Sequence, residues 1–160
     1  MTVISTTKDS DKLRLVFVAD FDATPERVWQ VWEDPRQLER WWGPPGYPAT
    51  FVSHDFAVDG ESRYFMSGPG GEKSNGFWRV VAIDQPHSLE IDNGLAGDDG
   101  EPLPDVPPGR ALVTFESVDG RTRMTVVNQF LSVEQMDLML GMGMAEGMGM
   151  ALGQIDGILD

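Results

Sequence analysis

The 160-residue sequence contains no cysteine and only two histidines, and its 12 basic residues are outnumbered by 26 acidic residues. Without cysteine the chain can form no disulfide, thiolate zinc site or cysteine nucleophile. A metal would have to bind to His54, His87 and carboxylates, so we expect neither a metal nor a cofactor. The formal charge of −14 argues against a nucleic-acid partner, because phosphate binding requires a basic surface.

Long apolar runs are also missing. No uncharged apolar segment reaches the roughly 20 residues that a membrane-spanning helix needs, so we expect no membrane insertion. The first nine residues have no apolar core of the kind found in secretory signals, and we expect a cytoplasmic protein. The length suits one domain over residues 1–160, with a polar and disordered segment at 1–11.

Local patterns predict two short helices followed by a series of strands. Residues 13–21 are rich in β-formers and indicate a first strand. Thr24 before Pro25 is typical of a helix start, and Asp34 before Pro35 repeats that signal for a second helix reaching about Trp41. Alternating segments separated by turn residues then predict six further strands, at 50–58, 61–67, 77–83, 88–91, 111–118 and 123–131.

Two segments of unusual composition remain. The stretch 92–109 is rich in Asp, Gly and Pro, which predicts a mobile loop or a lid, and its acids do not follow a calcium-binding register. The C-terminal stretch holds six methionines and six glycines between Met136 and Gly157. Ser132 and Gln135 form a capping box, and apolar residues at spacings of three and four then predict one long helix to the end of the chain.

This order of elements predicts an α+β fold in which the terminal helix covers an antiparallel sheet. Several motifs in sequence order resemble the family of homologues of the activator of heat-shock protein 90 ATPase, within the START-like (SRPBCC) superfamily. They are Ala23-Thr24-Pro25-Glu26-Arg27-Val28-Trp29, Asp34-Pro35, Trp41-Trp42-Gly43-Pro44, Asp55-Phe56-Ala57-Val58-Asp59-Gly60, Tyr64-Phe65-Met66-Ser67-Gly68-Pro69, the segment from Gly120 to Val126, and Gly143, Met144 and Gly147.

The resemblance implies a helix-grip fold, in which a curved antiparallel sheet wraps around a long C-terminal helix, with two short helices between the first and second strands. It also implies an apolar cavity between sheet and helix that binds a small hydrophobic molecule, such as a lipid or a polyketide. Where the family often has an aromatic residue and a Trp, this chain has Ser62 and Met148. These losses of volume predict an enlarged cavity.

We therefore expect a set of ligand-binding residues around that cavity: Trp41, Trp42, Ser62, Tyr64, Met66, Met144 and Met148. Tyr64 is the candidate for orienting the ligand, because a buried hydroxyl needs a partner. The methionines are typical of plain core packing or of an adaptable ligand-binding wall. The glycines of the terminal helix favour either close approach to the sheet or local opening, and the sequence leaves both interpretations open.

Two alternative functions follow from the resemblance. An aromatase/cyclase-type enzyme would need an acid or base in the cavity; Tyr64, Asp55 and Arg79 are available, but no poised pair is evident, so we predict no catalytic residue. His54 and Asp55 are adjacent in a predicted strand and point to opposite faces. A chaperone-interaction module is the second alternative, and it follows from the family name alone, which reflects a larger relative. The sequence offers no broad basic face for an acidic partner.

Overall fold

The computed structural model describes residues 3–159 as one antiparallel sheet of eight strands with helices packed on its apolar face. The strands are β1 (Val3–Asp9), β2 (Arg14–Phe21), β3 (Ala49–His54), β4 (Glu61–Ser67), β5 (Lys73–Asp84), β6 (Ser88–Ala96), β7 (Gly109–Val118) and β8 (Arg121–Gln129). Their order across the sheet is β1-β2-β8-β7-β6-β5-β4-β3, so the first hairpin pairs with the last strand. The predicted α+β helix-grip fold is confirmed.

The two short helices between β2 and β3 are α1 (Pro25–Glu33) and α2 (Pro35–Leu38). The Thr24 side chain accepts a hydrogen bond from the Arg27 amide at 3.3 Å, and Asp34 accepts one from the Arg36 amide at 2.9 Å. Each cap therefore satisfies an amide that the helix leaves free, as the sequence predicted. The second helix ends three residues earlier than expected, and the chain continues through turns to Trp41.

The N-terminal segment is ordered over residues 3–11, which corrects the prediction of disorder there; residues 1 and 2 of the predicted segment lie outside the described residues. β1 pairs with β2 over its whole length, from Val3 opposite Asp20 to Asp9 opposite Arg14. A strand at the edge of a sheet tolerates polar side chains because one of its faces and its outer side meet solvent. The turn that follows is closed by Asp9, whose carboxylate accepts a hydrogen bond from the Lys12 amide at 3.1 Å.

Several strand boundaries also differ from the prediction; β5, for example, begins at Lys73 and not at residue 77. β6 runs to Ala96, so the connection to β7 covers residues 97–108 instead of the predicted 92–109. Two hydrogen bonds join this connection to neighbouring elements: the Leu103 amide donates to the Leu95 carbonyl at 3.0 Å, and the Gln135 side chain donates to the Pro107 carbonyl at 2.6 Å. The strand predicted to reach residue 58 ends at His54, and the connection to β4 then turns through Asp59, which has a positive φ of 67.

The C-terminal segment is broken, which corrects the prediction of a single long helix. It forms α3 (Val133–Gly141), α4 (Met144–Leu152) and a short 3-10 turn at Ile155–Gly157. Gly143 separates α3 from α4. Its φ of +87 is a left-handed conformation that is unfavourable for any residue with a side chain. The predicted cap begins α3, since the Ser132 hydroxyl accepts from the Gln135 amide at 3.0 Å.

The core between sheet and helices is dominated by aromatic rings. All five tryptophans are buried, and edge contacts join Trp32 to Trp41 at 4.8 Å and Trp42 to Trp78 at 4.9 Å between ring centroids. Such arrangements stabilise a core beyond the area that they bury. The cluster fills the part of the domain beneath α1 and α2, which leaves the space beneath α3 and α4 to be filled by smaller and more flexible side chains.

Candidate functional site: a cavity beneath the broken C-terminal helix

A cavity of about 290 Å³, partly open to solvent, lies between the sheet and the α3–α4 segment. Its floor comes from strands β4, β6, β7 and β8, and its roof from the end of α3 and the first half of α4. The residues that line it are Trp42, Pro44, Tyr64, Met66, Asn93, Gly94, Leu95, Gly109, Arg110, Ala111, Asn128, Gln129, Phe130, Met139, Met142, Gly143, Met144, Gly147 and Met148. This volume is near the lower end of the range typical of small-molecule sites.

Two glycines shape the floor. A Cβ atom placed at Gly76 would overlap the phenol of Tyr64, so this glycine provides the room in which that ring lies. A Cβ atom placed at Gly109 would have only one neighbouring atom, the Gln129 carbonyl oxygen at 3.8 Å. Gly109 therefore leaves empty volume where other residues of β7 would place a side chain.

The roof consists of methionine side chains and glycines. Met139, Met144 and Met148 are half-buried, whereas Met142 is largely exposed at the break between the helices. Cβ atoms placed at Gly141, Gly147 and Gly149 would meet nothing within 4 Å. Close approach to the sheet therefore does not explain these three glycines, and of the two interpretations left open by the sequence only greater conformational freedom applies to them.

The polar groups of the cavity are a phenol and amides. The Tyr64 hydroxyl donates to Asn93 Oδ1 at 3.2 Å, and Asn128 Nδ2 donates to the Leu15 carbonyl at 3.2 Å. Burial raises the pKa of Tyr64 to about 12, and the Trp42 indole beside it partly opposes that rise without a well-aligned hydrogen bond. Tyr64 is therefore a neutral phenol at physiological pH.

One cation, Arg110, belongs to a strand that lines the cavity, but its side chain alternates with inward-facing Ala111 and lies on the outer face of the sheet. Its Nε is 2.9 Å from Asp92 Oδ1, and its Nη2 donates to the second oxygen of the same carboxylate at 3.2 Å. Glu90 approaches Nη1 at 3.4 Å. Two carboxylates of the neighbouring strand β6 thus hold the guanidinium, and their two negative charges exceed its single positive charge.

Five of the seven residues predicted to contact a ligand line this cavity: Trp42, Tyr64, Met66, Met144 and Met148. The other two lie elsewhere. Trp41 is fully buried in the aromatic cluster, where its indole donates to the Val31 carbonyl at 2.8 Å. Ser62 is buried against His54, whose Nδ1 is 2.7 Å from its hydroxyl. The volume lost at position 62 is filled by that imidazole, so it does not enlarge the cavity; Met148 does border it.

Sequence reasoning missed the amide side chains and the floor glycine. Asn93 was assigned to a loop, and the sequence carried no signal that β6 extends through it. Asn128 could have been found from strand alternation, because it follows Thr122, Met124 and Val126 on the inward face of β8 and is polar. A polar side chain at an inward position indicates either a satisfied core group or a binding site.

His54 takes part in the core and not in the cavity. Its Nε2 lies 3.1 Å from the Trp32 carbonyl, and burial lowers the pKa of the imidazole. Because both ring nitrogens and the Ser62 hydroxyl are engaged away from solvent, the pair offers no accessible nucleophile. Within residues 3–159, no cluster of three or more potential ligand side chains is placed to hold a metal ion, and no helix is long and apolar enough to cross a membrane.

An eight-stranded antiparallel sheet with a cavity beneath its C-terminal helix defines a helix-grip protein of the START-like class. Residues 22–160 match the family model described as Activator of Hsp90 ATPase homolog 1-like protein. The chain belongs to this family, as the resemblance of its motifs predicted.

Solved structures of similar proteins agree with this assignment. A protein from Arthrobacter aurescens is 49% identical, with 99% of this chain and 92% of that chain covered and a TM-score of 0.94. Protein Ms6760 from Mycobacterium smegmatis is 42% identical, with 100% and 98% covered and a TM-score of 0.91. An AHSA1 protein from Silicibacter pomeroyi is 22% identical, with 91% and 96% covered and a TM-score of 0.73, and shares the fold. A comparison with curated proteins gave no match.

Proposed function

We propose that this protein binds one small, mainly apolar molecule in the cavity between the sheet and the α3–α4 segment. The observation that carries the proposal is the unfilled volume of about 290 Å³ in a domain whose remaining core is closely packed by aromatic rings. Protein interiors pack to the density of organic crystals, so unfilled volume is unfavourable unless a ligand uses it. Burial of apolar ligand surface would supply most of the affinity.

The composition of the roof supports the same function. Methionine has three rotatable bonds and a polarisable sulfur, which lets Met139, Met144 and Met148 fit ligands of different shapes. The break between α3 and α4 at Gly143 borders the cavity, so the helical hydrogen bonding of the roof is interrupted there. A ligand can therefore enter by local movement of the roof without disturbing the sheet.

Binding is favoured over catalysis by the chemistry of the site. Tyr64, with a pKa of about 12, is a poor proton donor or acceptor near neutral pH. The other two groups considered for an enzyme lie outside the cavity: Asp55 is exposed, and Arg79 pairs with Asp59 at 3.1 Å on the surface. An aromatase/cyclase-type reaction would thus have no poised acid or base among these residues.

The proposal is tested by filling the cavity from its floor. Gly109→Leu adds a side chain where a Cβ atom has open space, so we expect the domain to fold and the cavity to close. The neutral fluorescent probe N-phenyl-1-naphthylamine is titrated into both proteins, and amide shifts locate the bound probe. The native protein should bind it with shifts at residues 139–148, and the variant should bind at least about tenfold more weakly.

Ser117→Leu is the matched control, because it adds the same side chain to an exposed position of the same strand. It should bind the probe as the native protein does. Equal probe affinity of the native protein and Gly109→Leu would overturn the proposal, as would the absence of any shift at the roof in the native protein.

A further inference from the structure

The ionic character of the cavity narrows the class of ligand that it can accept. Its polar side chains are those of Tyr64, Asn93, Asn128 and the Trp42 indole, all of which are uncharged, whereas the Gln129 side chain bonds to Arg14 and the Lys12 carbonyl on the other face of the sheet. Arg110 is the one charged residue among the residues that line the cavity. What a ligand meets in the interior is therefore a set of neutral groups surrounded by apolar walls.

The hydrogen-bonding capacity left in the interior is also neutral. Asn93 uses its carbonyl oxygen to accept from Tyr64, which leaves its amide N–H groups available as donors. Asn128 uses its amide to donate to the Leu15 carbonyl, which leaves its oxygen available as an acceptor. A ligand hydroxyl matches either group, and a ligand carbonyl matches Asn93.

An anionic ligand finds no free counter-charge. The Arg110 guanidinium lies on the outer face of the sheet and is already held there by the carboxylates of Asp92 and Glu90, which place two negative charges beside its one positive charge. The exposed acids Asp98 and Glu101 belong to the neighbouring 97–108 connection, and the whole chain has a charge of −14. A carboxylate or phosphate entering the cavity would lose its hydration without gaining a partner, which is costly.

A cationic ligand is disfavoured inside for a parallel reason. The carboxylates of Asp92 and Glu90 are engaged with Arg110, and the residues that line the cavity include no acid. An ammonium group buried among methionines and amides would likewise remain unpaired. The acids on the protein surface can attract a cation, but the residues that line the cavity offer it no salt bridge.

We propose that the ligand of this cavity is electrically neutral, with an apolar body and a hydroxyl or carbonyl group that hydrogen-bonds to Asn93 or Asn128. This inference rests on the proposed function and goes beyond it by excluding fatty-acid anions, phospholipid headgroups and organic cations. Asn93 is the specificity-determining residue of the pair, because it also fixes the hydroxyl of Tyr64.

The test compares compounds of one shape and different charge. Naphthalene, 2-naphthol, 2-naphthoate and 2-naphthylmethylammonium each compete with bound N-phenyl-1-naphthylamine at neutral pH, and amide shifts report the site. We expect 2-naphthol to bind at least about tenfold more tightly than either ion. Equal or tighter binding of the naphthoate or of the ammonium compound at the roof residues overturns the neutral-ligand inference and leaves the proposed function standing.

A variant separates the hydrogen bond from the apolar contact. Asn93→Ala should weaken 2-naphthol about tenfold and leave naphthalene unchanged, because naphthalene has no group for the amide to contact. Asn75→Ala is the control: Asn75 is a half-buried residue of β5 outside the cavity lining, and its loss should affect neither compound. Equal weakening of both compounds by Asn93→Ala would overturn its assigned role. Failure of every naphthyl compound and of the probe to bind would overturn the proposed function itself.

Discussion

Gly76 lies directly opposite Tyr64 in the pairing of β4 with β5, and the Tyr64 ring occupies the space that a side chain at position 76 would need. In this position the phenol reaches Asn93 on β6, two strands away from its own. A residue with no side chain thus determines where the main hydroxyl of the cavity lies.

Gly76→Ala should therefore destabilise the protein by about 1–3 kcal/mol, because the added methyl group forces the buried ring out of place. Chemical denaturation measures the change in the free energy of unfolding. The same substitution in a Tyr64→Ala background should cost much less, since the overlapping ring is gone. Equal costs in both backgrounds would show that the ring is not the reason for the glycine.

Gly147→Ala and Gly149→Ala should each stabilise the protein by about 0.4–1 kcal/mol. Both positions are helical with open space around an added Cβ atom, so alanine reduces the entropy of the unfolded chain without a steric cost. Gly143→Ala should do the opposite, because φ +87 strains any residue with a side chain. Thermal unfolding of the three variants gives the comparison, and a loss of stability for Gly147→Ala or Gly149→Ala would contradict the open packing of the roof.

Stability should decrease as the pH falls below 6.5, through the titration of His54. Burial lowers the pKa of this imidazole in the folded protein, so the unfolded chain binds the proton first and gains stability relative to the folded state. The contribution is complete above pH 6.5 and is lost as the pH falls through the lowered pKa of the folded protein, with a slope of at most about 1.4 kcal/mol per pH unit. The carboxylates with lowered pKa values, Asp20 and Asp34, act only at lower pH.

The measurement is the free energy of unfolding across this pH range. His54→Gln should remove the slope that begins below pH 6.5, and His87→Gln, a change at an exposed turn, should retain it. A slope that persists unchanged in His54→Gln would assign it to another group.

Gln154→Leu should destabilise the protein by about 1–3 kcal/mol. The Gln154 amide donates to the carbonyls of Trp41 at 3.3 Å and Gly43 at 2.8 Å, and leucine would leave both without this donor. Gln154→Glu keeps the shape but turns a carboxylate toward two carbonyl oxygens, so its cost should be larger at pH 7 than at pH 4. Denaturation at the two pH values checks both expectations, and native-like stability of Gln154→Leu would remove this side chain from the set that anchors the C-terminal segment.

The elements that the sequence predicted well are those with a local cause. Thr24, Asp34 and Ser132 each cap a helix through contacts within three residues, and such patterns can be read directly from neighbouring positions. β1 was missed because its polar residues are stable in a strand only through pairing with β2, which is a tertiary effect. The helix break was missed because the apolar residues keep a helical spacing through Gly143, whereas the helix itself is interrupted there.

The site was predictable in part for the same reason. Tyr64 and Met66 follow from strand alternation, and Met144 and Met148 follow from helical spacing. Ser62 shares the inward face of β4 with Tyr64, but His54 from β3 lies against it, and no local pattern predicts that contact. Asn93 and Gly109 belong to the cavity because β6 and β7 pair beyond their predicted ends.

The pairing of β2 with β8 has a consequence for how the protein is made. Arg14 Nε donates to Gln129 Oε1 at 2.8 Å across 115 residues of sequence, and the ladder continues to Phe21 opposite Thr122. Contacts so distant in sequence close large loops, which slows folding. During translation the first hairpin must wait for the synthesis of β8 before its inner strand is covered, so until then the apolar strand β2 lacks the partner beside it.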